Sequence, residues 1–574
     1  VNGLIGELAN GLNTRHYCLL PLTYSLLPVA FIEPHVHCAT ILIMPLQYKK
    51  YWLITITLTV LLAFAFQGTR GLWEPDEGRY VRCAYEMLKS GDWLTPRIDN
   101  KPHFTKPPLT YWLIASGLSL FGSNEWGARF FHALAFIGTA LMTGLLGACM
   151  WGQVAGLLSC LVFSTMVFPF TAANITTTDM LLTCFETASV LFFWLSINTR
   201  QHEQRKKVLY AIFMSFFFGL SFLTKGPPGL IPLLIMLLYL FLTKTKKWLS
   251  IPAIIINLLV FSAIALPWYI LVMQKYYGLL SYFIQDEIIG RIFLGVHTRN
   301  PGLFGSLKVY PHTLLLGSLP WAYFWFTIAW KTRPQILTAA WWHLLRARKI
   351  ALFLTLWFGI SLFLLSAANS RLPMYVLPLF VPLALATARS LLRYYPAQAV
   401  AACFFRNRQG ALVMILAVFL IASRAIAAHV PTKIDSRVIA QDVNKIVHER
   451  VADAPHEIVL VDLHHDGLAF YTGSTVENVS AARDHDLSFS AIKKIEQKCD
   501  EMISSRVSSV FLLNAKDMKK VLPEFDKRRI PYAVEKGPFD YKIIICAAAV
   551  AGNPEVKGHA AVLPQFVDAA NKPL

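Results

Sequence analysis

The sequence predicts an all-α polytopic membrane protein of about 11–13 transmembrane helices with a small C-terminal α/β domain. Three observations predict it. Of 574 residues, 55% are hydrophobic and only 15% charged, against about 25% charged in soluble domains. Apolar runs of roughly 17–23 residues recur, long enough to span a bilayer as helices. After about residue 430 the long runs stop, and short apolar stretches alternate with helical patterns.

Residues 1–43 fit this plan poorly. Cys18–Ile32 is apolar but short and carries two prolines, with His35 and His37 following, and Met44 before Lys49-Lys50 makes a more natural start. They are read as a probable N-terminal extension or dispensable leader. Spans are then predicted at 52–67, 127–148, 153–170, 179–197, 208–223, 228–243, 251–273, 312–330, 350–366, 373–391 and 411–428. With Lys49-Lys50 inside, the clusters Arg200…Lys207, Lys244…Lys247, Lys331…Lys349 and Arg393…Arg408 also fall inside, as the positive-inside rule requires. The net charge of +19 therefore belongs to membrane-edge loops, and nucleic-acid binding is excluded as the main role. Nine cysteines show no CxxC pair. Cys149, Cys160 and Cys184 lie in apolar runs as small hydrophobes.

The expected domains are a transmembrane domain over 44–430, including a first outer loop at 68–126, an α/β domain over 431–546, and a disordered tail over 547–574. In the first loop, Tyr80, Cys83, Ala84, Met87 and Leu88 repeat at helical spacing, with Gly91 as the stop. Leu109–Phe121 is a second amphipathic piece. Glu457–Asp462 and Ser509–Leu513 read as strands, and Ala491–Met502 as a helix.

The same topology places the loops holding Asp76, Lys106, Asp179, Lys225, His297 and Arg371 on one outer face, away from nucleotides. Asp76, between Pro75 and Gly78 and beside Glu77 and Arg79, suits a general base or an acceptor-orienting acid; an acidic loop paired with its own arginines is the alternative. Lys106 before two prolines is held in place and suits a phosphate, or snorkels to the interface. Asp179 follows three threonines and reads as a second acid or an N-cap. Lys225 reads as a site cation or a C-terminal cap. Asp286, Glu287, Arg291, His297 and Arg299 mix signs in a loop suited to an acceptor or a metal, although a single His is more often structural. Arg371 and Tyr375 bracket a span and suit an anionic head group. Ser-His-Asp order, a Walker loop and HExxH are all absent from the sequence.

Trp73-Glu74-Pro75-Asp76-Glu77-Gly78-Arg79-Tyr80, Gly91-Asp92-Trp93 and Phe104-Thr105-Lys106-Pro107-Pro108 closely resemble the first periplasmic loop of the aminoarabinose lipid A transferases. These belong to the wider polyprenyl-phosphate-dependent GT-C, protein-mannosyltransferase-like glycosyltransferases. Thr224-Lys225-Gly226, Pro267-Trp268, Glu287…Arg291, Gly317–Trp321 and Arg371–Pro378 continue the resemblance over roughly residues 45–395. It implies a bacterial inner-membrane enzyme with its active site and C-terminal domain in the periplasm. Such an enzyme moves aminoarabinose or a related amino sugar or hexose from undecaprenyl phosphate to lipid A or a related glycolipid. By the resemblance Asp76 and Asp179 are catalytic, while Arg79, Lys106, Tyr375 and Arg371 hold the donor phosphate. Glu77, Glu287, Arg291 and Lys225 then serve the acceptor or the structure. A divalent metal at His297 is implied too, but the aminoarabinose transferases usually carry Glu where this chain has Thr105. That departure weakens both the metal site and the sugar assignment. A protein O-glycosyltransferase of the same fold and an anionic-lipid transporter or flippase are the competing expectations.

Overall fold

The computed structural model describes residues 46–200, 202–245, 248–294, 299–302, 304–324, 348–394, 408–451, 455–481, 493–504 and 507–546. It is mainly helical, and seven of its described helices are long and apolar enough to cross a membrane. The chain opens with α1 (Leu46–Phe64), then the loop helix α2 (Asp76–Ser90), the two-residue strands β1 (Arg97–Ile98) and β2 (Lys101–Pro102), and α3 (Leu109–Phe121). The long hairpin α4 (Glu125–Trp151) and α5 (Gln153–Thr165) follows, with the short α6 (Val167–Ala172). Next come α7 (Thr178–Ile197), α8 (Gln204–Lys225), α9 (Ile231–Leu242), α10 (Ile251–Lys275) and α11 (Leu279–Tyr282), which runs into a π-helical stretch at Phe283–Leu294. The membrane part ends with α12 (Gly305–Gly317), α13 (Lys349–Ala367), α14 (Phe380–Tyr394) and α15 (Arg408–Ala427).

The predicted spans correspond to helices with four differences, one being that the run at 373–391 begins as a 3₁₀ stretch over Pro373–Leu379 before α14. The run at 153–170 breaks at Met166, whose extended backbone separates α5 from α6. The run at 228–243 begins as a 3₁₀ turn over Pro227–Leu230, since consecutive prolines supply no N–H for an α turn. The span expected from 312 starts instead at Gly305 and stops at Gly317, ahead of Pro320; its far part lies outside the described residues. The extension 1–43, the tail 547–574 and His297 also lie outside them.

Small residues let the α4–α5 hairpin close. A Cβ on Gly156 would sit 2.7 Å from both Ala148 Cβ and Gly144 O, so the backbones meet almost directly. Asn124 caps α4 by accepting from the Gly127 N–H at 2.8 Å. Facing outward, Ile255, Leu258 and Leu259 of α10 and Val418 and Phe419 of α15 are exposed apolar side chains, as a lipid-facing surface requires.

Both amphipathic loop helices form as predicted. Gly91 closes α2 in the left-handed region at φ 70°. The predicted stripe of α2 packs inward: Cys83, Ala84 and Met87 are buried beside Tyr111, Ile114 and Leu118 of α3.

The C-terminal part contains α16 (Ser436–Arg450), β3 (His456–Val461), α17 (Leu468–Thr472), β4 (Thr475–Ser480), β5 (Lys493–Lys494), α18 (Ile495–Ser504), β6 (Ser508–Asn514), α19 (Met518–Arg528), β7 (Tyr532–Lys536) and β8 (Tyr541–Cys546). The sheet order is β5-β4-β3-β6-β8-β7. β3, β4, β5 and β6 run parallel, and β8 is antiparallel to both β6 and β7. Alternate residues serve opposite faces. Ile458, Leu460, Val510 and Leu512 pack on Ile439 and Val443 of α16, whereas Val459, Val461, Phe511 and Leu513 pack on α18 and α19. Burial on both faces is why β3 and β6 read as continuous apolar runs.

This α/β part docks on the first loop through main-chain bonds. The Glu74 N–H donates to Ile434 O at 2.8 Å and the Ser436 N–H to Leu72 O at 2.9 Å. The first loop and the α/β part therefore occupy the same end of the bundle.

Candidate active site

The acid cluster of the first loop divides into three roles. Glu77 is fully buried and joins three elements. It accepts from Arg70 at 2.6 Å, from Arg129 of α4 at 3.1 and 3.2 Å, and from the N–H groups of Trp73 and Thr176, both at 2.9 Å. Burial alone would raise its pKa, but the Arg129 and Arg70 guanidiniums outweigh that and hold the carboxyl well below the carboxylate range.

Glu74 faces the α/β part. Its Oε1 accepts from Ser436 Oγ at 2.5 Å and from the Gly467 N–H at 2.7 Å, while Oε2 is buried without a partner among the described residues. Burial, and then the nearby Asp466 carboxylate, push its pKa up to about 8. Gly78 and Gly467 make room for this carboxyl, since a Cβ on either would lie 2.0 or 2.7 Å from Glu74 Oε1. One turn along, the buried Arg82 binds Asp99, bonds Glu86 at 3.0 Å and Val476 O at 2.6 Å, and pairs with Asp466 at 3.5 Å.

Asp76 is different. It is the first residue of α2, its side chain is 35% exposed, and its partner is Arg79 at 2.6 Å, itself 29% exposed. Of the three acids it alone keeps substantial access to solvent. At this point of the fold the Tyr80 phenol, raised by burial, is within electrostatic reach of Asp76, Asp179 and Tyr375.

Beside that point is a cavity of about 240 Å³. Its polar lining includes Lys106, Lys225, Tyr375, Glu287 and Glu186, set among apolar residues such as Phe104, Leu182 and Phe222. Lys106 reaches the cavity from the first loop, its Nζ donating to Thr105 O at 2.8 Å. Lys225, the last residue of α8, donates to Asp179 Oδ1 at 2.5 Å, with both side chains at least nine-tenths buried. The same ammonium lies 4.1 Å above the Tyr375 ring. Thr177 caps α7 by accepting from the Asp179 N–H, so the cap is the threonine and Asp179 stands in the first turn of the helix. Cations, a phenol and an apolar wall in one cavity suit a lipid that carries a phosphate.

One expectation changes, and one open alternative narrows. Arg371 is not placed to hold a phosphate. Its guanidinium donates to the carbonyls of Ser366, Asn300 and Gly302 at 2.9–3.1 Å, and its side chain clamps the loop before α12. Glu77 has no lone pair left for an acceptor and is a structural clamp. Glu287 lines the cavity and accepts from Tyr282 Oη at 3.1 Å. The Arg291 side chain and His297 lie outside the described residues. Among the described residues no three His, Cys, Asp or Glu converge on a metal position. At the doubtful position, Thr105 Oγ1 shares a hydrogen bond with His103 Nε2 at 2.8 Å, a pair that offers no carboxylate donor.

Sequence reasoning missed Glu186. The signal was present: an acid inside an apolar run, seven residues after Asp179 and so on the same helix face.

Residues 50–283 match the family model for dolichyl-phosphate-mannose-protein mannosyltransferase. The undecaprenyl phosphate-alpha-4-amino-4-deoxy-L-arabinose arabinosyl transferase 2 of Pseudomonas fluorescens (strain Pf0-1) is 31% identical over 353 residues, 60% of this chain and 60% of the relative. The chain thus spans about three fifths of the curated relatives it matches. The crystal structure of ArnT from Cupriavidus metallidurans bound to undecaprenyl phosphate superposes with a TM-score of 0.71 at 18% identity, covering 88% of this chain and 99% of that one. The oligosaccharyltransferase of Archaeoglobus fulgidus reaches 0.51 at 14% identity, over 87% and 74% of the two chains. The protein is a multi-pass membrane protein that shares the GT-C fold of these structures.

Proposed function

We propose that this protein is a glycosyltransferase that takes a sugar from undecaprenyl phosphate and places it on lipid A or a related glycolipid at the periplasmic face. The observation that carries the reading is the cavity where Lys106, Tyr375 and Lys225, the last bonded to Asp179, face an apolar wall. The relatives, which use or bind undecaprenyl phosphate, supply the donor class.

In the reaction an acceptor oxygen bonds the anomeric carbon of the sugar as the bond from that carbon to the phosphate oxygen breaks. Undecaprenyl phosphate leaves with an added negative charge, which the Lys106 ammonium is positioned to stabilise without help from water. The energy resides in the lipid-phosphate glycosyl bond, so no nucleotide takes part. Asp76, open at the first turn of α2, faces the acceptor. A hydroxyl acceptor passes its proton to Asp76; a lipid A phosphate is already anionic and is only oriented. Arg79, paired with Asp76, holds that carboxylate in place and adds positive charge. Lys225 and Asp179 work as a fixed pair that sets the Tyr375 side of the cavity.

The test is mass spectrometry of lipid A from cells carrying the wild type or Asp76→Asn. Loss of a sugar mass in the variant, at normal protein levels, supports the reading and identifies the sugar. Lipid A that is identical in both strains removes lipid A as the acceptor. The mannosyltransferase family match favours one second reading, transfer to protein hydroxyls; glycans on periplasmic proteins that vanish in the same variant would identify it.

A further inference from the structure

Glu186 lies about 10 Å further along α7 than Asp179 at the helical rise. Its side chain lines the cavity together with Leu182, one turn earlier on the same face. The residue is 4% exposed, and among the described residues it makes no hydrogen bond and no ion pair. A cation acting on it is Lys225, whose ammonium is already bonded to Asp179 at 2.5 Å. The other cavity acid, Glu287, accepts from Tyr282. A carboxylate inside an apolar helix that faces a cavity without a partner carries a desolvation cost, which a donor arriving in the cavity offsets.

We propose that Glu186 is the specificity-determining residue of this cavity and receives the ammonium of an amino sugar carried on the lipid phosphate. The inference rests on the transferase reading and adds the residue that selects the sugar. Lys106 matches the phosphate of such a donor, and Asp179 neutralises Lys225. Of the two acids in the lining, Glu287 already accepts from Tyr282, so Glu186 is the carboxyl that an ammonium on the donor meets. A neutral sugar leaves a buried carboxylate without a counter-charge.

The experiment compares two synthetic donors with the purified full-length protein: undecaprenyl phosphate bearing an amino sugar, and the same sugar N-formylated and hence uncharged. Lipid A is the acceptor, and wild type is set against Glu186→Gln, which keeps the shape. The wild type is expected to prefer the amino donor, and the variant to lose on the order of 10²-fold in kcat/KM on it with little change on the formylated donor. Equal losses on both donors, or no loss on either, overturn the assignment. Equilibrium binding of both donors separates this inference from the reading beneath it. If the wild type turns over neither donor, the transferase reading fails. Even then, a binding preference for the amino donor that Glu186→Gln abolishes sustains Glu186 as the selector, and equal binding by both proteins overturns it.

Discussion

Glu77 and Asp76 are adjacent, yet the structure assigns them opposite consequences. Replacing Glu77 by Ala leaves Arg70 and Arg129, 3% and 0% exposed, without their shared counter-ion. It also removes the acceptor of the Trp73 and Thr176 N–H groups. Breaking a buried pair from one side costs about 3–5 kcal/mol. Each orphaned buried N–H adds about 1–3 kcal/mol, although terms that share one carboxylate do not sum. A loss of at least ~3 kcal/mol is therefore expected for Glu77→Ala, read as a fall in thermal midpoint of the detergent-purified protein. Glu77→Gln keeps one acceptor oxygen and should lose less. Asp76→Asn, at a half-open position with one exposed partner, should change the midpoint by no more than ~0.5 kcal/mol equivalent while abolishing transfer. Thermal scans of the three variants beside the wild type, with transfer assayed on the same samples, decide the matter. A Glu77→Ala protein as stable as wild type would refute the clamp, and an Asp76→Asn protein with full activity would refute the catalytic assignment.

Three further outcomes are expected. In the folded protein Glu74 keeps its proton up to about pH 8 against an ordinary value of 4.5, because of burial and Asp466. Its contribution to the docking of the α/β part is thus complete below about pH 4.5 and is lost as pH rises through about 8; Asp99, raised to about 6, acts in the same direction. Thermal midpoints from pH 5 to 9 should fall less steeply in Glu74→Gln than in wild type, and identical slopes would count against this. Gly78→Ala drives a Cβ into the Glu74 carboxyl, so its midpoint should drop by the equivalent of ~1–3 kcal/mol, and hydrogen exchange should rise in Ser436–Arg450. Removing Lys225 and Asp179 singly and together should show a coupling of ~1–3 kcal/mol in stability; strictly additive losses would mean that the pair is not formed.

The residues of the site were legible one by one, because each stands in a polar loop between apolar runs and the positive-inside pattern assigns those loops to one face. Lys106, Lys225, Tyr375 and Glu287 do line one cavity, and Asp179 adjoins it through Lys225. Arg371 could not be read correctly in this way. An arginine beside a span has the same composition whether its guanidinium meets a phosphate or three backbone carbonyls, and only the path of the loop at 299–302 decides. Glu186 was overlooked for the reverse reason. Its helix was read for hydropathy, where a single acid barely changes a mainly apolar helix of twenty residues, although that acid matters most once the helix faces a cavity.

The sequence by itself determined the architecture: apolar run length sets the spans, and period-3.6 and period-2 patterns set α2, α3, β3 and β6. These are local quantities, each carried by neighbours along the chain. Tertiary structure alone decided how three acids in four residues divide their work, with Glu77 as clamp, Glu74 as the docking point of the α/β part and Asp76 left open. That division depends on Arg129, Thr176, Ser436 and Gly467, which lie about 50 to 390 residues away in sequence. A carboxylate's role follows from the charges and N–H groups within about 3 Å of it, and those neighbours are set by packing.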